Sequence, residues 1–281
     1  MWEKQNKRNI FFRENRNEIS IAVLIVVLLV VSPFLSEYFM TGSNILNLLR
    51  QTAYTAIAAI GMYFVILIGG IDLSIGSTIQ IEGINGLLVT FGKLQAFIVT
   101  LVMKEILAGI VLVTTGGASI PGTNVPESFM EIGTGYIGIL PVPVVIMILV
   151  FAAALFVMGK TVYGRQLSVS GSNRTAAYNS GVNVRLVQVS AYMLCSLCAG
   201  ISGLLTVART GAFQPSTTSQ GATGMEMNAI AAVVLGGAAL TGGTGTVTGA
   251  MLGALLYGVL ANLFPLIGVS SYLQQLIQGL I

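Results

Sequence analysis

The sequence predicts an all-α, polytopic transmembrane helical bundle with one short helix in a polar loop, and three observations predict it. The 281-residue chain is 54% hydrophobic and only 8% charged. Soluble domains carry about 25% charged residues, so this chain lacks the polar surface to coat a water-exposed globule. Its mean hydropathy is +0.87. Its uncharged runs reach the ~20 residues that cross a ~30 Å hydrocarbon core: 21 at Gln51–Ile71, 28 at Ile132–Gly159, 23 at Leu186–Ala208 and 55 at Met227–Ile281. One membrane domain over residues 1–281 is expected, with no soluble domain.

The elements follow in order. Lys4, Lys7, Arg8, Arg13 and Arg16 precede the apolar stretch Ile19–Leu35. No A-x-A-like cleavage site follows it, because Val31-Ser32-Pro33-Phe34 is bulky. A retained first helix is expected, with residues 1–18 in the cytoplasm. Later apolar segments fall at 45–69, 73–91, 94–115, 141–159, 186–206, 228–240 and 246–267, with a stub at 270–281. Lys160, Arg165, Arg174 and Arg185 crowd one loop, 160–185, which should also be cytoplasmic. The 116–140 connection carries Glu127 and Glu131 but no Lys or Arg, as an external loop would. Met227–Leu240 is short and broken by Gly236-Gly237, which suits a half-helix. No charge follows Glu226, so nothing orients the chain beyond it.

Several chemistries are excluded. The chain has no histidine, which removes histidine acid–base catalysis and histidine metal sites; no metal site and no cofactor are expected. A net charge of +3, concentrated at the N-terminus, does not suit nucleic acid. Cys195 and Cys198 form C-x-x-C inside an apolar segment without a βαβ pattern, so they read as two small packing residues on one helix face. Ala154 to Thr161 is one residue from a P-loop, but Ala154 replaces the first glycine and the intervening residues end an apolar helix. Gly242-Gly243-Thr244-Gly245 lacks the strand and acidic residue of a dinucleotide fingerprint. It reads as a tight turn, with Gly249 and Gly253 continuing a small-x-x-x-small face.

Two motifs carry more. In Gly69-Gly70-Ile71-Asp72-Leu73-Ser74, an aspartate between apolar segments is costly unless capped, paired or interfacial. Asp72 or Ser74 caps the next helix, or contacts a polar substrate. In Tyr163–Val182, Ser172 or Asn173 suits an N-cap, Thr175–Ser180 a short helix containing Ala176 and Ala177, and Gly181 the C′ position. So short a helix is marginal in water, and something should hold it. Its bland reading is an ordinary basic loop.

Four ordered stretches together resemble one family: Gly70-Ile71-Asp72-Leu73-Ser74, Phe91 to Leu101, the Tyr163–Val182 loop, and Ile230 to Gly245. They look like the permease of bacterial monosaccharide ABC importers, of the ribose, xylose, galactose and autoinducer-2 type, over nearly the whole chain. The resemblance implies that the Tyr163–Val182 loop docks on an ATPase subunit, through Arg165, Gly171, Asn173, Arg174, Ala176, Ala177, Ser180 and Gly181. It also implies two ATPase subunits, a periplasmic or lipid-anchored sugar-binding protein, a second permease copy in a homo- or heterodimer, surrounding membrane lipid, and residence in the bacterial inner membrane. The sugar path is expected to be lined by sparse polar groups, with Gln51 and Asn85 as candidates beside Asp72 and Ser74. Helix–helix hydrogen bonding is their alternative role.

The chain departs from that family. Roughly one and a half spans are absent near Gly83–Ile84, and the C-terminus lacks the family's longer final helix and basic tail. Charge parity points the same way: counting 73–91 as a crossing places the basic 160–185 loop outside, against the positive-inside rule. Either a crossing is missing near Gly83–Ile84, leaving a packing gap beside Asp72 and reduced transport, or 73–91 turns back without spanning. A secondary transporter or channel is the competing function. It would place ionisable groups within its spans, and the long uncharged runs argue against it.

Overall fold

A computed structural model describes residues 16–74, 82–121, 126–213 and 224–280. Most of the basic N-terminal stretch, residues 1–15, therefore lies outside the described residues, as do Ser77 and Ile281.

The bundle is built round α2 (Gly42–Leu67), which follows α1 (Arg16–Leu35). Lipid is as apolar as leucine, so helices in a membrane associate through close van der Waals packing and small residues. Helix α2 supplies them: Ala53, Ala56, Ala58, Ala59 and Gly61 are all inward, among fully buried Ile57, Ile60, Met62 and Ile66. A β-carbon on Gly61 would stand 2.7 Å from Cys198 Cβ. The two cysteines thus sit where α9 (Val184–Thr210) packs tightly on Gly61 of α2.

Between these two helices the chain runs α3 (Glu82–Thr90), α4 (Ala96–Thr115), α5 (Glu127–Thr134), α6 (Val142–Lys160), α7 (Val162–Ser172) and α8 (Arg174–Asn179). After α9 come α10 (Met225–Leu235), α11 (Val247–Leu266) and α12 (Ser271–Leu280). Two-residue strands pair β1 (Ile120–Pro121) with β4 (Ala212–Phe213), and β2 (Tyr136–Ile137) with β3 (Leu140–Pro141), all antiparallel. Among the described residues α1, α4, α6, α9 and α11 are long and apolar enough to cross a membrane. Helix α2 is longer than most of these, but Arg50 and Gln51 sit near its start. Helices α9, α10, α11 and α6 pack around it, and α1 packs on α11.

One end of the bundle is basic. It holds the C-terminus of α2, the Lys93 turn, Lys160, the α7–α8 loop and the turn from Gly236 to Thr246. Glu18 of α1 accepts hydrogen bonds from Thr246 and Thr248 there. At the opposite end, Asn44 and Asn262 exchange amide hydrogen bonds at 2.9 and 3.0 Å, and β1 meets β4.

The described residues on either side of 75–81 meet at the basic end. Ile68 and Gly69 line the same cavity as Thr90 and Lys93, and α3 has nine residues, only ~13 Å of rise. Both parity accounts place Lys93 and the basic loop on the same side, as this cavity does. Helix α4 then rises with little cover. Its principal helix neighbour is α3, and Ile98, Val102, Ile106, Ile110 and Val113 stay exposed.

Helix α10 is a half-helix of 11 residues, as its glycine punctuation predicts. A β-carbon on Gly236 would run into the Gly249 carbonyl, and one on Gly253 into the Ala232 carbonyl. The small-residue face of α11 therefore packs backbone to backbone against α10.

Candidate functional site

The Tyr163–Val182 loop is more helical than its sequence suggests. Residues 162–172, expected as loop, form α7. Thr161 Oγ1 accepts from Gly164 N at 3.1 Å to cap it, and Leu167 is fully buried beneath it. Gly164 lets α7 lie on the end of α6, since a β-carbon there would strike the Val157 carbonyl. Tyr163 donates to or accepts from Ser190 Oγ at 2.7 Å, and burial pushes its phenol above the ordinary tyrosine range.

Asn173 caps α8, its Oδ1 accepting from Ala176 N at 3.0 Å. The helix closes through Ser180 N to Ala176 O and Val182 N to Ala177 O, with Gly181 at φ +81°. That left-handed residue is where a helix end favours glycine. The sequence reading put Ala177 on the face that meets a partner; instead it is fully buried against the bundle. Ala176 is exposed, beside Tyr178 at 72% exposure. Tyr178 was missed in the sequence, although an exposed tyrosine on a rigid helix is the residue type that anchors interfaces. Arg165 and Ser180 are also exposed.

Three motifs that are remote in sequence meet at the end of α2. Gly243 N donates to the Leu67 carbonyl at 2.8 Å. Gly171 lies against the same carbonyl, with no room for a β-carbon. Arg174 Nη2 donates to the next carbonyl, Ile68, at 2.9 Å. Gln188 of α9, its amide oxygen turned toward Arg174, accepts from Nη1 and Nη2 at 3.2 Å each. The C-terminal carbonyls of a helix lack intrahelical partners, and here the loop and the Gly-Gly turn supply them. The α7–α8 loop and the Gly242-Gly243 turn are thus bonded directly to the end of the central helix.

The Asp72 motif continues from that end. Asp72 Oδ1 accepts from Ser74 N at 2.9 Å and Ser74 Oγ at 2.6 Å, and Asn85 Nδ2 donates to Ser74 Oγ at 2.8 Å. All three side chains are fully buried. Asp72 thus closes a local turn on Ser74; residues 75–81, which precede α3, lie outside the described residues. Gln51 is not part of this group. It is half-buried near the other end of α2.

Sequence reasoning also passed over an ion pair. Lys104 of α4 donates to Glu226 Oε1 at 2.6 Å, with Glu226 buried and Lys104 partly so. Glu226 Oε2 accepts from Gly224 N at 3.2 Å. Lys104 lies eight residues into α4, ~12 Å along its axis. The long uncharged runs thus gave an incomplete picture, because a charge pair does lie within the spans.

Comparison with known proteins places this arrangement. Over 302 aligned positions the chain is 37% identical to the ribose import permease protein of Haemophilus influenzae, covering 96% of this chain and 91% of that one. It is 36% identical to the Bacillus subtilis ribose import permease protein, over 91% of this chain and 87% of the relative. It is 28% identical to the D-allose transport system permease protein of Escherichia coli, over 92% and 86%. The first alignment has 302 positions against the chain's 281 residues, so the relative carries at least 21 residues within it that have no counterpart here. No solved structure matches. Residues 79–281 match the family described as branched-chain amino acid transport system, permease component, and the chain belongs to that family of multi-pass membrane permeases.

Proposed function

We propose that this chain is the permease subunit of an ATP-driven importer that moves a monosaccharide or similar small polyol across the bacterial inner membrane. The observation that carries the reading is the junction at the end of α2, where Arg174, Gly171 and Gly243 join the coupling loop to the central helix. The relatives' names, ribose and D-allose permeases, support the substrate class. On this reading residues 1–281 form one membrane domain, and the basic end faces the cytoplasm under the positive-inside rule. ATPase subunits dock on α7 and α8, and a sugar-binding protein delivers substrate at the opposite end. A second permease copy completes the path. The chain itself is not an enzyme; hydrolysis belongs to its partner.

Gln51 and the Asp72–Ser74–Asn85 group are the polar groups offered to a sugar. The three buried residues would be reached only in another state of the transport cycle. The Lys104–Glu226 pair favours a second reading, a secondary transporter, because ionisable groups within spans serve ion coupling. Uptake of radiolabelled ribose into vesicles separates the two. Import that needs co-purified ATPase subunits and ATP supports the permease reading; import by this chain alone, driven by an ion gradient, supports the second.

A further inference from the structure

Helix α4 packs little of itself against the bundle. Of its 20 residues only Val99, Thr100 and Leu107 are buried, and its principal helix neighbour is α3. Lipid is as apolar as the side chains on its outer face, so apolar contact alone does not hold it in one place. Two attachments lie toward its ends. Thr100 Oγ1 donates to the Ile71 carbonyl at 3.2 Å, and past the C-terminus β1 pairs with β4. Between them Lys104, one turn after Thr100 on the same face, donates to Glu226 Oε1 at 2.6 Å.

Glu226 stands in the first turn of α10, where its carboxylate opposes the positive end of the helix dipole and accepts from Gly224 N. Two paths from the basic end give the depth of the pair. Eight residues along α4 make ~12 Å, and ten back along α10 from Gly236 make ~15 Å, each about half of a ~30 Å hydrocarbon core. Charges at that depth are costly unless paired. At its other end α10 enters the turn in which Gly243 N donates to the Leu67 carbonyl and the Gly243 carbonyl accepts from Ser172 Oγ. Helix α10 therefore stands between the loop junction and the ion pair.

We propose that Lys104 is a positioning residue for transport: through Glu226 it ties α4 to α10, so that α4 follows α10 when the loop junction moves. The transmission rests on the permease reading; the tie does not. An ionic tie suits a helix in lipid, because separating the charges at mid-depth is costly, whereas exchanging an apolar neighbour for an acyl chain costs little.

The test uses the full chain in a Cys195→Ala, Cys198→Ala background. Spin labels at Val113→Cys in α4 and Leu204→Cys in α9, both exposed positions, report the distance between these helices in the purified protein. Uptake of radiolabelled ribose is measured in vesicles with ATPase subunits and sugar-binding protein. The informative variant is Lys104→Met, Glu226→Met, which strands neither charge. It should melt close to the parent, yet broaden the α4–α9 distance distribution about twofold and lower uptake about tenfold, because two methionines hold each other no better than lipid does. Lys104→Arg, which keeps the charge and its donors, should retain the narrow distribution and most of the uptake. Glu105→Gln, at the exposed neighbouring charge, should match the parent. A narrow distribution in the double variant, or equal broadening in Glu105→Gln, overturns the tie. A double variant that melts well below the parent would make the pair a folding element and overturn the positioning role. Broadening with full uptake overturns the transmission. A parent that imports no ribose with its ATPase overturns the permease reading and the transmission with it, and the distances then decide the tie by themselves.

Discussion

Arg174 and Ile68 are 106 positions apart, yet the guanidinium of one donates to the carbonyl of the other at 2.9 Å. The bond joins the first residue of a six-residue surface helix to the C-cap of the most buried helix in the bundle. On the proposed permease reading, such a joint would convert a push on the loop into a movement of α2, because packed interiors shift as units rather than deforming continuously.

Removing that joint should uncouple transport before it unfolds the protein. Arg174→Ala removes charge-assisted bonds worth about 1.5–3 kcal/mol, with the lower figure apt for an exposed residue. ATP-dependent ribose uptake should fall at least tenfold while membrane insertion and ATPase association persist. Arg174→Lys keeps a donor for Ile68 but loses the fork to Gln188, and should retain intermediate uptake. Full uptake in Arg174→Ala would show that the junction transmits nothing.

The Lys104–Glu226 pair should behave as a buried ion pair does. Removing one partner leaves the other charge stranded, at a cost of about 3–5 kcal/mol. Lys104→Met and Glu226→Gln should each melt well below the parent in detergent. The double variant Lys104→Met, Glu226→Met should recover most of the loss, since a desolvated pair and an apolar pair are of similar stability. Additive losses in the double variant would mean that the two residues act independently.

These results separate what the sequence displays from what only the fold assembles. Uncharged runs of helical length mark α1, α6, α9 and α11, because membrane spanning is written in hydropathy. Asn173 and Gly181 were legible as caps, because capping is local chemistry. Helix α7 was not legible. Its polar, glycine-containing sequence has little intrinsic helicity, and it exists because Leu167 is buried and Gly164 fits against α6. Six residues are too few for periodicity to show that Ala177, rather than Ala176, faces inward. Glu226 lies 122 positions from Lys104, so neither charge carries a local sign of its partner.

The glycines of α11 provide a stability contrast. Gly253→Ala would drive a β-carbon into the Ala232 carbonyl, whereas a β-carbon on Gly203 in α9 meets open space. Overpacking of this kind costs about 1–3 kcal/mol, and backbone contact leaves little room for relief. Gly253→Ala should lower the melting temperature and the yield of folded protein. Gly203→Ala should be neutral or slightly stabilising, since alanine favours the helix by up to about 1 kcal/mol. Equal melting of the two variants would mean that α10 and α11 are not in backbone contact.

The returning path of the chain between α2 and α4 makes the strongest demand on topology. Lys93 lines a cavity with Ile68, Gly69 and Arg174, so the Lys93 turn and the Tyr163–Val182 loop must lie on one side of the membrane. From that turn α4 crosses away and α6 crosses back, which leaves Glu127 on the far side and Lys160 on the near one. Single cysteines in place of Lys93, Glu127 and Lys160, in a Cys195→Ala, Cys198→Ala background, should report this with a membrane-impermeant thiol reagent. The native cysteines are buried between α2 and α9, and alanine is the smallest change that removes them. In intact cells the Glu127→Cys protein should label while the Lys93→Cys and Lys160→Cys proteins stay protected; in inverted vesicles the pattern should reverse. Labelling of Lys93→Cys together with Lys160→Cys in intact cells, with Glu127→Cys protected, would require residues 73–91 to cross after all. The basic loop would then lie outside, against the charge rule that orients it, and the cavity that Lys93 and Arg174 share with Ile68 and Gly69 could not exist.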